Sequence, residues 1–384
     1  MIYLLCIALV YLGITSLILW MNKSDFRPLS KNHVTASLST TPTVSVCIPA
    51  RNEEQNIKRA VQSVLAQGYN QIELLVLDDD STDSTPQILE KLATHSKKLN
   101  VIYGKSKPDH WLGKSWACHQ LSQKAQGDFL LFIDADVWLE PNMVSRAVTS
   151  MQKSQADFIT VWPVQQMGTF WEKAVIPIIY YGLLSLLPAR YVHNKPTWLP
   201  ARFSHHFAAA CGQCMMFNRK AYNAIGGHQS VKQDIVEDVA LAKEIKKAGF
   251  SMRMFHGQKA ASCRMYISGK EMWQGFRKNF LALYNYSIPT FIIMALLNFI
   301  TYVFPFGALL FSPVHYNPTV FLLSGIAVAT IIIHRLILAE WFGWSKLYAF
   351  LHPVGVSWFH VLGIQVLWDH FTNHNVKWKE RPTS

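Results

Sequence analysis

Apolar residues are distributed along this chain in two ways. Between residues 44 and 285 they form short runs separated by polar segments. At both ends they form long, almost uncharged stretches. Val44-Ser45-Val46-Cys47-Ile48-Pro49 reads as a buried strand stopped by proline, and Ile72 to Leu77 as a second. Ile57, Ala60, Val61, Val64 and Leu65 recur at helical spacing between them. A helix from about Pro86 to His95, a third strand at Val101-Ile102-Tyr103 and a fourth over Asp128–Ile133 continue the alternation. The β-α-β-α order predicts a doubly wound, largely parallel sheet. Further on, Pro141 to Met151 and Ile235 to Ala248 read as helices, the second closed by Gly249, and Phe158-Ile159-Thr160-Val161 reads as a strand. Gly212 to Gly227 is expected to be rich in turns.

The terminal stretches carry a different signal. Met1 to Trp20 has no charged residue and is long enough to span a bilayer. A cleaved signal peptide is the alternative. The basic residues Lys23, Arg27 and Lys31 follow the apolar run rather than precede it, which favours an uncleaved anchor with the next segment in the cytoplasm. Ile288–Phe311, Val320–Ile333 with its extension, and Leu347–Trp368 give two or three more membrane segments. If the catalytic domain and the basic tail (Lys377, Lys379, Arg381) share one side, these segments cross an even number of times, so one of them is re-entrant or interfacial. Phe170 to Leu187, interrupted by Pro177 and followed by Pro188, is expected to be interfacial rather than a span. The resulting division is an anchor over 1–21, a linker over 22–43, a catalytic domain over 44–285, membrane segments over 286–370 and a basic cytoplasmic tail over 371–384.

Composition agrees with a mixed chain: of 384 residues, 50% are hydrophobic and only 16% charged. The net charge of +12 comes without a Lys/Arg-rich block or a nucleic-acid motif, so a membrane surface and phosphate-bearing substrates are the expected partners, and nucleic acid is not. The six cysteines are scattered. Cys211-x-x-Cys214 has metal spacing but no second pair nearby, and is read as small residues in a packed loop.

Candidate chemistry lies at strand ends. Asp134 and Asp136 follow the fourth strand one residue apart, so both face one point beyond its C-terminal end, where open α/β sheets bind ligands. Two convergent carboxylates suit Mg²⁺ or Mn²⁺ held partly by substrate phosphates. An isolated D-x-D is more often a solvated strand end. Here it stands in the order Asp78-Asp79-Asp80, then Asp134-x-Asp136, then Glu237-Asp238 on a helix.

With Val46-Cys47-Ile48-Pro49-Ala50-Arg51-Asn52-Glu53-Glu54, this order resembles glycosyltransferase family 2 over roughly residues 44–285. Leu77-Asp78-Asp79-Asp80-Ser81-Thr82-Asp83 matches the family's nucleotide-binding pattern, with Asp80 in place of the usual glycine at a turn. Trp111-Leu112-Gly113-Lys114-Ser115-Trp116-Ala117-Cys118, Gly226-Gly227-His228, Arg264-Met265-Tyr266 and Trp273-Gln274-Gly275-Phe276-Arg277-Lys278-Asn279 resemble the membrane-bound members that glycosylate terpenoid lipids, the diaponeurosporenoate and hopene-associated glycosyltransferases. Val376-Lys377-Trp378-Lys379 continues that likeness.

The resemblance implies a GT-A (Rossmann-like) α/β domain between transmembrane helices, in a multi-pass protein of the inner or plasma membrane with its catalytic domain cytoplasmic. It implies a metal-dependent, inverting hexosyltransferase that uses a nucleotide sugar, a UDP-sugar first, and a membrane lipid acceptor such as a carotenoid or hopanoid derivative. Asp134 and Asp136 would hold the metal on the diphosphate. Pro49, Ala50, Glu53 and Asp79 would line the nucleoside site. Lys114 and Arg277 would reach the phosphates, with the bland alternatives of an exposed lysine and a basic membrane-surface face. Asp238 would be the general base beside Glu237, against the alternative that both merely stabilise a helix N-terminus capped by Asp234. The processive members' Q-x-x-R-W appears as Gln274-Gly275-Phe276-Arg277-Lys278, and the missing tryptophan weakens the rival reading of a polysaccharide synthase. A membrane-anchored nucleotide-binding protein with a degenerate site is the rival from another class.

Overall fold

The structure is a computed structural model. It describes residues 1–30, 41–194, 198, 200–284, 286–312, 317–372, 377–378 and 381–382. Lys31 of the linker, Lys379 of the basic tail, and Val376 lie outside the described residues. The chain divides into two compact units. One comprises residues 25–166 and 189–265. The other comprises residues 1–24, 167–188 and 266–384.

The first unit is built on an eight-stranded sheet. In chain order its strands are β1 (Arg27–Pro28), β2 (Val44–Ala50), β3 (Ile72–Asp78), β4 (Leu99–Tyr103), β5 (Phe129–Ile133), β7 (Phe158–Trp162), β9 (Cys214–Asn218) and β10 (Met252–His256). Their order across the sheet is β1-β10-β7-β9-β5-β2-β3-β4. A smaller sheet joins β6 (Val137–Leu139), β11 (Ala261–Cys263) and β8 (Val164–Gln165). The apolar runs become strands because both of their faces are covered. Every residue of β5 is buried, as are five of seven in β3 and six of seven in β2. Ile57, Ala60, Val61 and Val64 present one buried stripe of the helix Ile57–Leu65 to the core shared with Val46, Ile48, Leu74 and Leu131. Each of these valine, leucine and isoleucine side chains contributes roughly 1.5–3 kcal/mol by leaving water.

The doubly wound sheet matches the expectation, with β1, β9 and β10 as additions. β9 runs antiparallel between β5 and β7, in the section expected to be turns. Its Cys214-Met215-Met216-Phe217 is wholly buried, so it lacks the alternation that marks a half-exposed strand, and it is too short to stand out among its flanking Gly and Asn. Further along, the predicted helix begins later than expected, at Glu237. Val236 takes the cap position without a side-chain bond, so Asp234 is not the cap. The helix ends as expected at Gly249, whose φ is +82°.

In the second unit four helices are long and apolar enough to cross a membrane: Ile2–Asp25, Ile288–Phe311, Pro318–Phe342 and Lys346–Phe371. Phe170–Leu186 is one continuous helix with Pro177 inside it, and a Thr169–Glu172 capping box starts it. At 17 residues it is shorter than these four. Along this helix Tyr180 and Tyr181 are buried, whereas Phe170 and Trp171 at its start are exposed.

The turn after β3 confirms the cost expected of Asp80. Its φ is +60°, the left-handed region where a side chain is strained. Arg51 crosses the turn: its Nη1 donates to the carbonyl of Asp80 at 2.9 Å. Replacing Asp80 by Val should lower stability by about 1–2 kcal/mol, whereas Asp80→Gly should stay within about 1 kcal/mol of the natural chain. Thermal denaturation of the two variants checks this difference.

Candidate active site

The C-terminal edge of β2, β3 and β5 gathers most of the residues singled out from the sequence. Pro49 and Ala50 close β2, paired in register with Leu77 and Asp78. The Asp79 amide donates to the Ala50 carbonyl at 2.8 Å, which draws the two strand ends together, and the Asp79 side chain is buried. The Glu53 amide donates to Thr85 Oγ1 at 2.8 Å, fixing the loop from β2 against the helix Thr85–His95. Asp134 and Asp136 follow β5 directly, and the Asp134 amide donates to the Gln213 carbonyl at 3.2 Å.

Charge organises the centre. Lys114 lies in the first turn of the helix Gly113–Lys124. Its Nζ is 2.8 and 3.1 Å from the two oxygens of Asp134, and 2.9 Å from Glu237 Oε1. Burial alone would lower the ammonium, but Asp134 and Glu237 outweigh it and hold Lys114 well above the usual lysine range. Burial pushes Glu237 up and Lys114 pulls it down further, so it stays a carboxylate below the usual range. Lysine and glutamate therefore remain ionised together.

The other two carboxyls behave differently. Burial, then Asp134 and Glu53, raise Asp136 to about 7. Its Oδ1 is buried with no hydrogen-bond partner, while the Cys263 thiol bonds the same carboxyl. Burial and then Glu237 raise Asp238 to about 6. Asp238 Oδ2 accepts from the Gly212 amide at 2.7 Å. A Cβ at Gly212 would stand 3.1 Å from that oxygen and 3.3 Å from Lys114 Nζ, so both side chains would have to give by a few tenths of an ångström. In the sequence Gly212, between Cys211 and Cys214, reads only as the start of a turn-rich section. The functional atom between them is a backbone N–H.

The donor set fits a hard divalent cation. Asp136 Oδ1 is an oxygen in need of a partner, and Asp134 stands one residue away at the same strand end. No cluster of three or more His, Cys, Asp or Glu side chains with metal geometry occurs among the described residues, so substrate or water oxygens would complete the shell. Arg277 belongs to the other unit, where its guanidinium forks onto Asp369 at 2.5 and 2.6 Å. The His205-His206 pair sits in a 3₁₀ turn, away from regular ligand spacing.

A consequence for stability follows from Asp136. Its folded value of about 7 lies above the ordinary 3.8, so its protonated form favours the fold. That contribution is complete below 3.8 and is lost as pH rises through 7. In EDTA, Asp136→Asn should melt higher than the natural chain at pH 8, by an amount on the order of a few kcal/mol, with the gap closing toward pH 4. Equal melting curves at both pH values would refute it.

Residues 45–226 match the family model for glycosyl transferase family 2. A 4,4'-diaponeurosporenoate glycosyltransferase of Staphylococcus haemolyticus is 28% identical over an alignment covering 71% of this chain and 70% of that protein. The enzyme of the same description from Staphylococcus aureus is 27% identical over 62% of this chain and 60% of its own length. Among solved structures, the mannosyltransferase PcManGT from Pyrobaculum calidifontis, in complex with GDP-Man and Mn²⁺, superposes with a TM-score of 0.54 at 18% identity, over 95% of this chain and 99% of its own, which supports the GT-A fold. The family 2 match over residues 45–226, the similarity to named glycosyltransferases and the GT-A sheet with carboxylates at its strand ends together support a glycosyltransferase of the family 2 type.

Proposed function

We propose that this enzyme transfers a sugar, with inversion, from a UDP-sugar to a membrane lipid, a terpenoid acid or alcohol of the carotenoid or hopanoid type, in a reaction that depends on Mg²⁺ or Mn²⁺. The observation that carries this reading is the meeting of Asp134, Asp136, Lys114, Glu237 and Asp238 at the end of β5. The relatives' named acceptor and the four helices long enough to cross a membrane support a lipid acceptor.

Each residue has a role that its surroundings support. Asp79, Ala50, Pro49 and Glu53 form the wall for the nucleoside, with the Asp79 carboxylate accepting from base or ribose. Asp134 and Asp136 hold the cation, which offsets negative charge on the leaving diphosphate when bound. Lys114, already ammonium, turns from the carboxylates to the phosphates. Glu237 keeps that ammonium charged. Asp238 accepts the proton of an acceptor hydroxyl; its Gly212 bond orients it, and burial raises it to about 6, close to the working pH. A carboxylate acceptor arrives without that proton and needs Asp238 only for orientation. Attack from the face opposite the diphosphate, in one displacement, inverts the anomeric centre. The catalytic unit is placed on the cytoplasmic side, where nucleotide sugars are made.

The test is transfer by purified full-length protein in detergent, from a panel of UDP- and GDP-sugars to extracted terpenoid lipids, with and without EDTA. Transfer from a UDP-sugar should be abolished by EDTA and restored by Mn²⁺ or Mg²⁺. With a hydroxyl acceptor, Asp238→Asn should lower kcat by about 10²–10⁴, and kcat/KM of the natural enzyme should fall below about pH 6, as Asp238 takes up its proton. Full activity of Asp238→Asn would remove the base assignment. Polymeric product would favour a polysaccharide synthase, and tight UDP binding without turnover a binding protein.

A further inference from the structure

The apolar unit buries a group of polar side chains for which the proposed transfer has no use. Arg335, on the helix Pro318–Phe342, is 3% exposed. Its Nη2 donates to the Tyr348 carbonyl at 3.2 Å, while its Nη1 is buried without a partner. Among the described residues no carboxylate pairs with it. His334, the preceding residue, is held by the Ser16 hydroxyl at 2.8 Å and the Tyr181 hydroxyl at 3.1 Å. His352 is fully buried, and neither of its ring nitrogens has a partner. The rings of Tyr181 and Tyr302 flank it at 5.2 and 5.4 Å, and both Arg335 and His334 lie within its electrostatic reach. Thr301, beside Tyr302, and Ser185, one turn from Tyr181, bury further unpartnered hydroxyls.

An unpaired guanidinium removed from water costs several kcal/mol, and hydrocarbon offers no solvent to relieve it. Ionisable side chains in such segments mark binding sites or pathways. The groups here share one property: each can donate a hydrogen bond, and one carries fixed positive charge. What they lack is an acceptor with negative charge and several oxygens. Arg335 lies seven residues before the end of its helix at Phe342. At 1.5 Å per residue that is about 10 Å, within reach of the boundary between lipid headgroups and acyl chains.

We propose that Arg335, His352 and the hydroxyls around them form a binding site for the acidic headgroup of a membrane lipid, a phosphate or a carboxylate. The site is separate from the donor chemistry and does not depend on it. Arg335 forks onto two of the headgroup oxygens. His352 donates to a third, and the rings of Tyr181 and Tyr302 flank it.

The test uses full-length protein in detergent and follows its melting temperature as lipids are added. The arms are phosphatidylglycerol, a long-chain fatty acid, phosphatidylcholine and inorganic phosphate. Phosphatidylglycerol or the fatty acid should raise the melting temperature, and which of the two does so identifies phosphate or carboxylate. Phosphatidylcholine and inorganic phosphate should not. Arg335→Met should weaken the apparent affinity about tenfold or more, as expected for loss of charge-assisted bonds. His352→Leu should weaken it less, and covers the case in which Arg335→Met does not fold. Equal shifts from phosphatidylcholine, a full shift from inorganic phosphate, or undiminished shifts in both variants would each overturn the proposal.

Discussion

The catalytic unit depends on one ion cluster. Lys114 Nζ stands within 3.1 Å of both Asp134 oxygens and 2.9 Å from Glu237. Without that ammonium, the carboxylates gathered at the end of β5 would repel one another across a partly buried space. Three distant stretches are thereby tied together: the helix at 113–124, the strand end at 134–136 and the helix starting at Glu237. The arrangement leaves two carboxyls less satisfied. Asp136 has a buried oxygen with no partner, and Asp238 is raised toward neutrality. Unsatisfied charge of this kind is where binding and proton transfer are least costly to add.

Much of the sheet was legible because β2, β3 and β5 are buried on both faces, and continuous apolar runs report that directly. The acidic strand ends were legible because alternation fixes which way Asp134 and Asp136 face. β9 was not, since a short antiparallel strand inserted between two others is defined by its neighbours rather than by its own pattern. Gly212 escaped notice for a related reason: its contribution is an amide pointing at Asp238, and backbone atoms leave no mark in residue type. Nor does sequence reveal partners. Arg277 reads along the chain as a phosphate contact or a basic surface residue, and its bidentate pairing with Asp369, 92 residues away, leaves no trace there. Asp80 is the opposite case, because one acidic residue where a turn wants glycine announced a strained φ that the structure bears out.

The two units divide the chemistry that the proposed reaction needs. Nucleotide sugars are soluble and charged, and the sheet unit meets them with carboxylates and an ammonium. A terpenoid acceptor dissolves in hydrocarbon, and the apolar unit offers long helices with few charges. Those few are informative. Arg335 and His352 remain buried with unpartnered nitrogens in a setting that penalises them, which the proposed acidic headgroup would relieve.

In the donor-free enzyme Lys114 occupies the place of positive charge beside Asp134 that a metal ion takes in the proposed reaction. The most direct measurement is Mn²⁺ affinity by electron paramagnetic resonance, with and without UDP, for the natural chain and for Lys114→Met. Mn²⁺ should bind the natural chain weakly alone and at least tenfold more tightly with UDP, whereas Lys114→Met should bind Mn²⁺ tightly without nucleotide. Equal Mn²⁺ affinity of the two chains without UDP would contradict the account of Lys114, and no Mn²⁺ binding by either chain under any condition would contradict the metal-dependent reading itself.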